Sequence, residues 1–390
     1  MLRTRFPEPA SISQGADDRP CPLFRSPRRP HRRLLDAARV RVALVGAGRI
    51  GQLHGRLLAG QAGVDQVVVA DADPARAQAS AGAIGGELAG SVEEALDAAD
   101  AVVIAASTNA HAALVGMAID RGLPTFVEKP LAFDLEETQA LVERIDQTQV
   151  SVQVGFQRRF DPAYLEARRL VETGELGSVY LVRMAAHDHE PPPDEYIPTS
   201  GGLFRDSSIH DFDALRWVTG QEVEEVYAAG SVRGFPIFAE HDDVDTGAVI
   251  LQLGDGTLAV LGQTRHDPRG YDIRMEIIGS KDAISVGLTG RTPLRSLDAD
   301  GLAMPGPAWT SFLTRFEEAY RAELLAFLRV ARGEIESPCT ARDALEAMRI
   351  SNAATCSRSE RKPVRLRDIG SRPRSPDSEE RPRKEVTRPA

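Results

Sequence analysis

At 390 residues, 42% apolar and 27% charged, the chain has length for about two domains and apolar content for sizeable cores. Its 47 Lys+Arg against 57 Asp+Glu leave a net charge of −10, which argues against nucleic acid or an anionic membrane as the main partner. No apolar run reaches the ~18 residues of a membrane helix, and Cys21, Cys339 and Cys356 have neither disulfide-framework nor metal-ligand spacing, so a reduced, cytoplasmic protein is expected.

Residues 1–39 hold Pro, Arg, Ser and Asp without apolar periodicity and read as a disordered extension; 367–390 read as a second, charged and Pro-rich tail. Arg28-Arg29 lacks the apolar stretch that an export signal needs. Between the tails, apolar runs at 40–45, 67–70, 101–105, 125–127 and 150–154 alternate with helical patterns at 50–60, 74–82, 92–98, 110–121 and 135–146. Uniformly apolar strands separated by helices are the pattern of a doubly wound parallel sheet. From about Val179 strands dominate, at 180–186, 223–232, 248–253, 257–263, 273–278 and 283–286, before two closing helices over 312–332 and 341–357. The expected fold is α/β: a Rossmann domain over 40–158, then an α+β domain over 159–366.

Gly46-Ala47-Gly48-Arg49-Ile50-Gly51 follows the first strand and opens a helix, the context that gives G-x-G-x-x-G its meaning. Gly46 permits the turn, Gly48 lets backbone approach a pyrophosphate, and Gly51 lets helix pack close to strand. The helix beginning at Arg49 and Ile50 offers its first N–H groups to the phosphates. Asp71 ends the second strand, where a carboxylate holds a ribose 2′-hydroxyl and repels a 2′-phosphate. Ala72 offers that phosphate no basic partner, so NAD is favoured over NADP. Asp73 is placed to cap the next helix. Ser107, Thr108, Asn109 and His111 leave the carboxyl end of a strand and either line the cofactor or cap their helix. His54 reads as a packing histidine.

Glu128-Lys129-Pro130 ends the fifth strand and so faces the cofactor crevice. Only Lys281, Lys362 and Lys384 accompany Lys129 in the sequence, so a lysine here is a candidate for chemistry. Further on, Asp206, His210, Asp213 and Trp217 fall on one helical stripe beside an apolar stripe of Ile209, Phe212, Leu215 and Val218. An imidazole with a carboxylate one turn away makes a base that titrates near neutral pH. The same spacing also fits a core histidine satisfied by its neighbour. His187, Asp188 and His189 are near in sequence, but no metalloenzyme motif is present and no metal is expected.

Taken together, GAGRIG, VVVADAD, EKP, QVGFQRRFDP and SGGLFRDSSIHDFDALRW resemble the glucose–fructose oxidoreductase/inositol dehydrogenase/rhizopine-catabolism (Gfo/Idh/MocA) family over roughly residues 40–366, nearest its inositol 2-dehydrogenase branch. The resemblance implies a Lys/Asp/His centre at Lys129, Asp206 and His210, and polyol contacts at Arg158, His187 and Tyr271. Two departures stand out. Gln157 replaces a frequent Met, and His187-Asp188-His189 replaces a frequent His-Arg-Asn. The activity implied is NAD-dependent oxidation of a secondary hydroxyl on a cyclic polyol, myo-inositol foremost. His210 is then the base, Asp206 orients it, and Lys129 donates to the reacting oxygen. Alternatives are an aldose or other inositol-isomer dehydrogenase, an NAD-dependent glycoside hydrolase, and a non-enzymatic NAD sensor, which would have no need of a base. An open, mainly antiparallel second sheet with too few helices to cover both faces implies a homo-oligomer, with a tetramer favoured by the resemblance.

Overall fold

The computed structural model describes residues 39–370 apart from 299 and 302–304. The expected extension 1–39 and tail 367–390 lie outside the described residues except at their inner ends, as does Cys21. Six parallel strands form the first sheet: β1 (Val40–Val45), β2 (Val64–Ala70), β3 (Glu87–Leu88), β4 (Ala101–Ile104), β5 (Thr125–Glu128) and β6 (Val152–Gly155). Their order is β3-β2-β1-β4-β5-β6, so the chain reverses direction across the sheet between β1 and β4. Strands β1, β4, β5 and β6 are buried almost throughout, as their uninterrupted apolar runs require. The connecting helices are α1 (Arg49–Ala59), α2 (Pro74–Ile84), α3 (Val92–Asp97), α4 (Thr108–Asp120) and α5 (Leu135–Asp146). Asp73 caps α2 by accepting from Ala75 and Arg76 N–H, with Pro74 in the first turn, and Gly85 stops it in the left-handed region.

Helix α6 (Pro162–Glu172) leads to the second sheet, whose strands are β7 (Val179–His187), β8 (Val223–Ser231), β9 (Thr246–Leu253), β10 (Leu258–Thr264), β11 (Asp272–Gly279), β12 (Ala283–Val286) and β13 (Val364–Arg365). The order is β12-β11-β7-β10-β9-β8-β13, and every pairing is antiparallel except β7 with β10. Burial alternates residue by residue along β9 and β10, the mark of a sheet with one packed and one open face. Between β7 and β8 lie α7 (Ile197–Ser200), α8 (Leu203–Asp206) and α9 (Ile209–Thr219); α10 (Ile237–Glu240) precedes β9.

The single helix expected over 312–332 is two, α11 (Phe312–Arg315) and α12 (Glu317–Ala331), interrupted at Phe316, and α13 (Ala341–Glu360) follows. Helix α12 returns to the first sheet. Phe327 packs on Phe126 at 5.8 Å between centroids, Tyr320 meets His54 edge-on at 5.7 Å, and Gln153 Nε2 donates to the Glu323 carbonyl. Cys339 supplies the carbonyl that accepts from Val154 N–H, covering the β6 edge. One continuous apolar core therefore runs from Leu44 and Phe126 through Phe327 to Leu251.

Candidate active site

Gly46 sits at φ +101°, and a side chain there would stand 2.5 Å from the backbone of Ala105 and Ala106. At Gly51 it would stand 2.0 Å from the Gly46 carbonyl oxygen, so only glycine lets α1 rest on the turn. Gly48 differs: a Cβ there meets nothing within 4 Å. Its backbone borders open space, and no side chain caps the N-terminus of α1, whose first-turn N–H groups stay available to an anion. Arg49 is exposed and Ile50 half-buried at this mouth. Asp71 closes the arrangement: Oδ2 accepts from Ala47 N–H at 2.6 Å and Oδ1 from Asp73 N–H at 2.8 Å. A glycine cradle at a helix N-terminus, with a carboxylate tied to its rim, fits a dinucleotide.

Ser107 is the N-cap of α4 yet its side chain makes no capping bond. With Thr108 and Asn109 it remains free to meet a ligand, and Asn109 borders an open cleft with Phe133, Asp134 and Glu137. Two other expected cofactor contacts point inward. His111 is buried, with Nδ1 at 2.8 Å from the Pro130 carbonyl and Nε2 at 3.1 Å from that of Ala106, so it ties two loops together. Glu128 places Oε1 2.6 Å from His54 Nε2 and Oε2 3.3 Å from its acceptor-seeking neighbour, Lys129 N–H. Its carboxylate supports the loop rather than lining the crevice.

Lys129 precedes a cis peptide to Pro130. Its Nζ donates to the Asp206 carbonyl at 2.7 Å and to Asp206 Oδ1 at 3.3 Å. Oδ1 also accepts from the Tyr196 hydroxyl at 2.9 Å, and Oδ2 lies 2.9 Å from Arg265 Nη2. Burial works to raise the Asp206 carboxyl, but the Lys129 and Arg265 cations outweigh it and hold it down to about 2. Arg265, itself buried, reaches Asp188 at 3.4 Å with its other arm.

The expected helical stripe is corrected here. Ser208 N–H bonds the Leu203 carbonyl, five residues back, and its hydroxyl donates to Gln263 Oε1. This wider turn separates α8 from α9, and among the described residues no hydrogen bond joins Asp206 to His210. Asp206 serves Lys129, Arg265 and Tyr196, while His210 Nδ1 is buried without a hydrogen-bond partner. Asp213 turns away to hold Arg159 through two bonds at 2.6 and 2.8 Å. Burial, then the Lys129 and Arg158 cations, push the His210 imidazole well below its ordinary value, so the expected near-neutral titration is corrected too.

Of the expected polyol contacts, Arg158 is buried with Nη1 on Asp211 at 2.5 Å and Nε unpartnered. His187 Nδ1 lies 3.0 Å from Thr264 Oγ1, and Tyr271 packs edge-on against Phe316. Arg265 and Tyr196 were not legible in the sequence: neither stands in a motif, and only the fold brings them to Asp206.

A nucleotide cradle at the switch point of a parallel sheet, facing a buried lysine–carboxylate pair and an imidazole, defines an NAD-binding oxidoreductase. Residues 40–156 match the family described as oxidoreductase, NAD-binding Rossmann fold, and residues 164–285 match the GFO/IDH/MocA C-terminal domain. The chain belongs to the Gfo/Idh/MocA oxidoreductase family. It is 39% identical to the myo-inositol dehydrogenase Hyg17 of Streptomyces leeuwenhoekii, over 80% of this chain and 95% of that one. A solved myo-inositol dehydrogenase from Corynebacterium glutamicum superposes with TM-score 0.78 at 33% identity, covering 84% of this chain and 99% of the other. The scyllo-inositol dehydrogenase of Lactobacillus casei, solved with NAD(H) and scyllo-inositol, gives TM-score 0.75 at 28% identity, covering 84% and 99%.

Proposed function

We propose that the chain oxidises a secondary hydroxyl of a cyclic polyol, myo-inositol foremost, to the ketone. Lys129 and His210 meet the reacting oxygen in this reading. The observation that carries it is the Lys129 ammonium: Asp206 takes two of its three N–H donors, and the third remains for a substrate oxygen. Bound NAD contributes hydride acceptance. Gly46, Gly48, Arg49, Ile50, Gly51, Asp71, Ser107, Thr108 and Asn109 hold it.

His210 is kept in its neutral form by burial and by the Lys129 and Arg158 cations, and takes the hydroxyl proton. Lys129 donates to the same oxygen as negative charge builds there. Asp206 aims Lys129 through its carbonyl and Oδ1; it is a counter-charge to the lysine rather than an orienter of the imidazole. A general base is worth about 10²–10⁴-fold and a single aimed donor about 10²–10³-fold. Arg158, through its unpartnered Nε edge, His187 and Tyr271 bind the polyol hydroxyls.

The deciding assay follows NADH release over a panel of inositols, aldoses and glycosides. Turnover of inositols with one NADH per ketone is expected. Glycoside cleavage without net NADH would overturn the proposal.

A homo-oligomer, a tetramer by family resemblance, is proposed to form through the open face of the second sheet. Tyr227, Ile250 and Val260 stand directly opposite one another across β8, β9 and β10 and are all exposed, with Leu258 beside them. A cytoplasmic location is proposed from the cysteine usage, and no helix among the described residues is long and apolar enough to cross a membrane.

A further inference from the structure

The rim of the nucleotide cradle carries a group that the order of residues after β2 does not suggest. Ala72 is uncharged, but the first turn of α2 brings Arg76 back over the strand end. Its Nη1 lies 3.3 Å from Asp71 Oδ1 and its Nη2 3.5 Å from Asp73 Oδ2. The two carboxylates are not equivalent. Asp71 is bound to the glycine turn through Ala47 N–H and is only 7% exposed, whereas Asp73 gives Oδ1 to the cap of α2. Arg76 itself is half-exposed.

Both contacts are longer than the ~2.7–2.9 Å of a strong charge-assisted bond. Exposed pairs of this kind are worth about 0–1 kcal/mol, so the guanidinium can leave them at little cost. Its planar fork matches a phosphate with two parallel bonds, and a phosphate monoester carries more charge than one carboxylate.

We infer that Arg76 is a latent ligand for the 2′-phosphate of NADP, and that the Asp71 charge tips the balance of the site toward NAD. In the unmodified chain two carboxylates outnumber one guanidinium at the rim, and a 2′-phosphate is repelled. Removing the Asp71 charge balances the rim and leaves Arg76 to pair with the phosphate; no added arginine at position 72 is needed. The inference rests on the nucleotide site alone and is independent of the polyol chemistry.

Titration calorimetry of the full chain with 5′-AMP and with adenosine 2′,5′-bisphosphate isolates the one phosphate in question. Asp71→Asn, which retains an oxygen acceptor for Ala47 N–H, and Asp71→Ser are expected to raise bisphosphate affinity relative to 5′-AMP about tenfold or more. Adding Arg76→Ala should remove that gain. In the unmodified background, Arg76→Ala should weaken the bisphosphate and leave 5′-AMP unchanged. A gain that survives Arg76→Ala, or bisphosphate binding insensitive to Arg76→Ala in both backgrounds, overturns the inference. Equal weakening of both nucleotides by Arg76→Ala also overturns it, because that is the signature of stacking on adenine. Failure of the unmodified chain to bind either nucleotide removes the cofactor site and this inference with it.

Discussion

At His210 the surroundings, not the ring, decide the chemistry. The imidazole has no carboxylate on Nδ1, lies among apolar groups and two cations, and binds its proton weakly. A base must be unprotonated to act, so activity falls only when pH drops through the lowered value. The rise of kcat/KM with pH should therefore lie on the acid side of ~6.5, the ordinary histidine range. In His210→Ala this limb should disappear and turnover drop about 10²–10⁴-fold with NAD affinity unchanged. An unaltered profile would move the base to His187 or His189. Asp206 calls for a different variant outcome. Asp206→Asn strands the Lys129 and Arg265 cations together, and so should lower thermal stability as well as turnover. The loss should be greatest near neutral pH. It should shrink as acid protonates the native carboxylate, whose contribution is present above its unfolded value near ~3.9 and fades toward about 2. Loss of turnover with stability unchanged would show that Asp206 does not balance those cations.

Among the elements, α12 holds an unusual side chain. Glu323 is buried with both carboxyl oxygens unpartnered, and burial, then Glu128 and Asp213, push its acid well above the usual range. The unfolded glutamate ionises near pH ~4.3 while the folded one keeps its proton, so the folded state binds more protons and loses stability as pH rises. Glu323→Gln should raise the melting temperature by about 2–4 °C at pH 8 and by less at pH 5. A fall at pH 8 would mean that the carboxyl makes an essential contact. Such features explain what was and was not legible in the sequence. The β1–α1 turn, Asp71 and the buried parallel strands announce themselves because backbone geometry and apolar runs are local. The break between α8 and α9 does not, because Ser208 chooses its partners from Leu203 and from Gln263 on a distant strand. Nor does the inward turn of Glu128, which depends on His54 across the sheet. Residue types were readable at the site; their pairings were set by tertiary contacts.

For the whole molecule, the open face of the second sheet is the surface proposed for assembly. Ile250 and Val260 oppose each other in register on that face, 50% and 38% exposed. Ile250→Glu with Val260→Glu places like charges side by side on the face proposed to receive a second copy. Light scattering should report an oligomer for the unmodified chain and a monomer for the double variant, with far-ultraviolet circular dichroism unchanged. A monomeric unmodified chain would rule the surface out.

The return of α12 and Cys339 to the first sheet also dictates when the molecule can be finished. A ribosome has polymerised β1 to β6 with the nucleotide turn when it reaches residue 155 of 390, less than half of the chain. At that moment Phe126 and His54 lack the aromatic rings of Phe327 and Tyr320, and the β6 edge lacks the Cys339 carbonyl. The half of the protein made first is thus among the last to close. For nearly half of synthesis, from residue 155 to residue 339 of 390, it carries an open strand edge of the kind that invites wrong pairing. Nascent chains stalled before residue 317 should for this reason be chaperone clients, whereas chains whose residue 339 has cleared the ribosome can shut that edge by themselves.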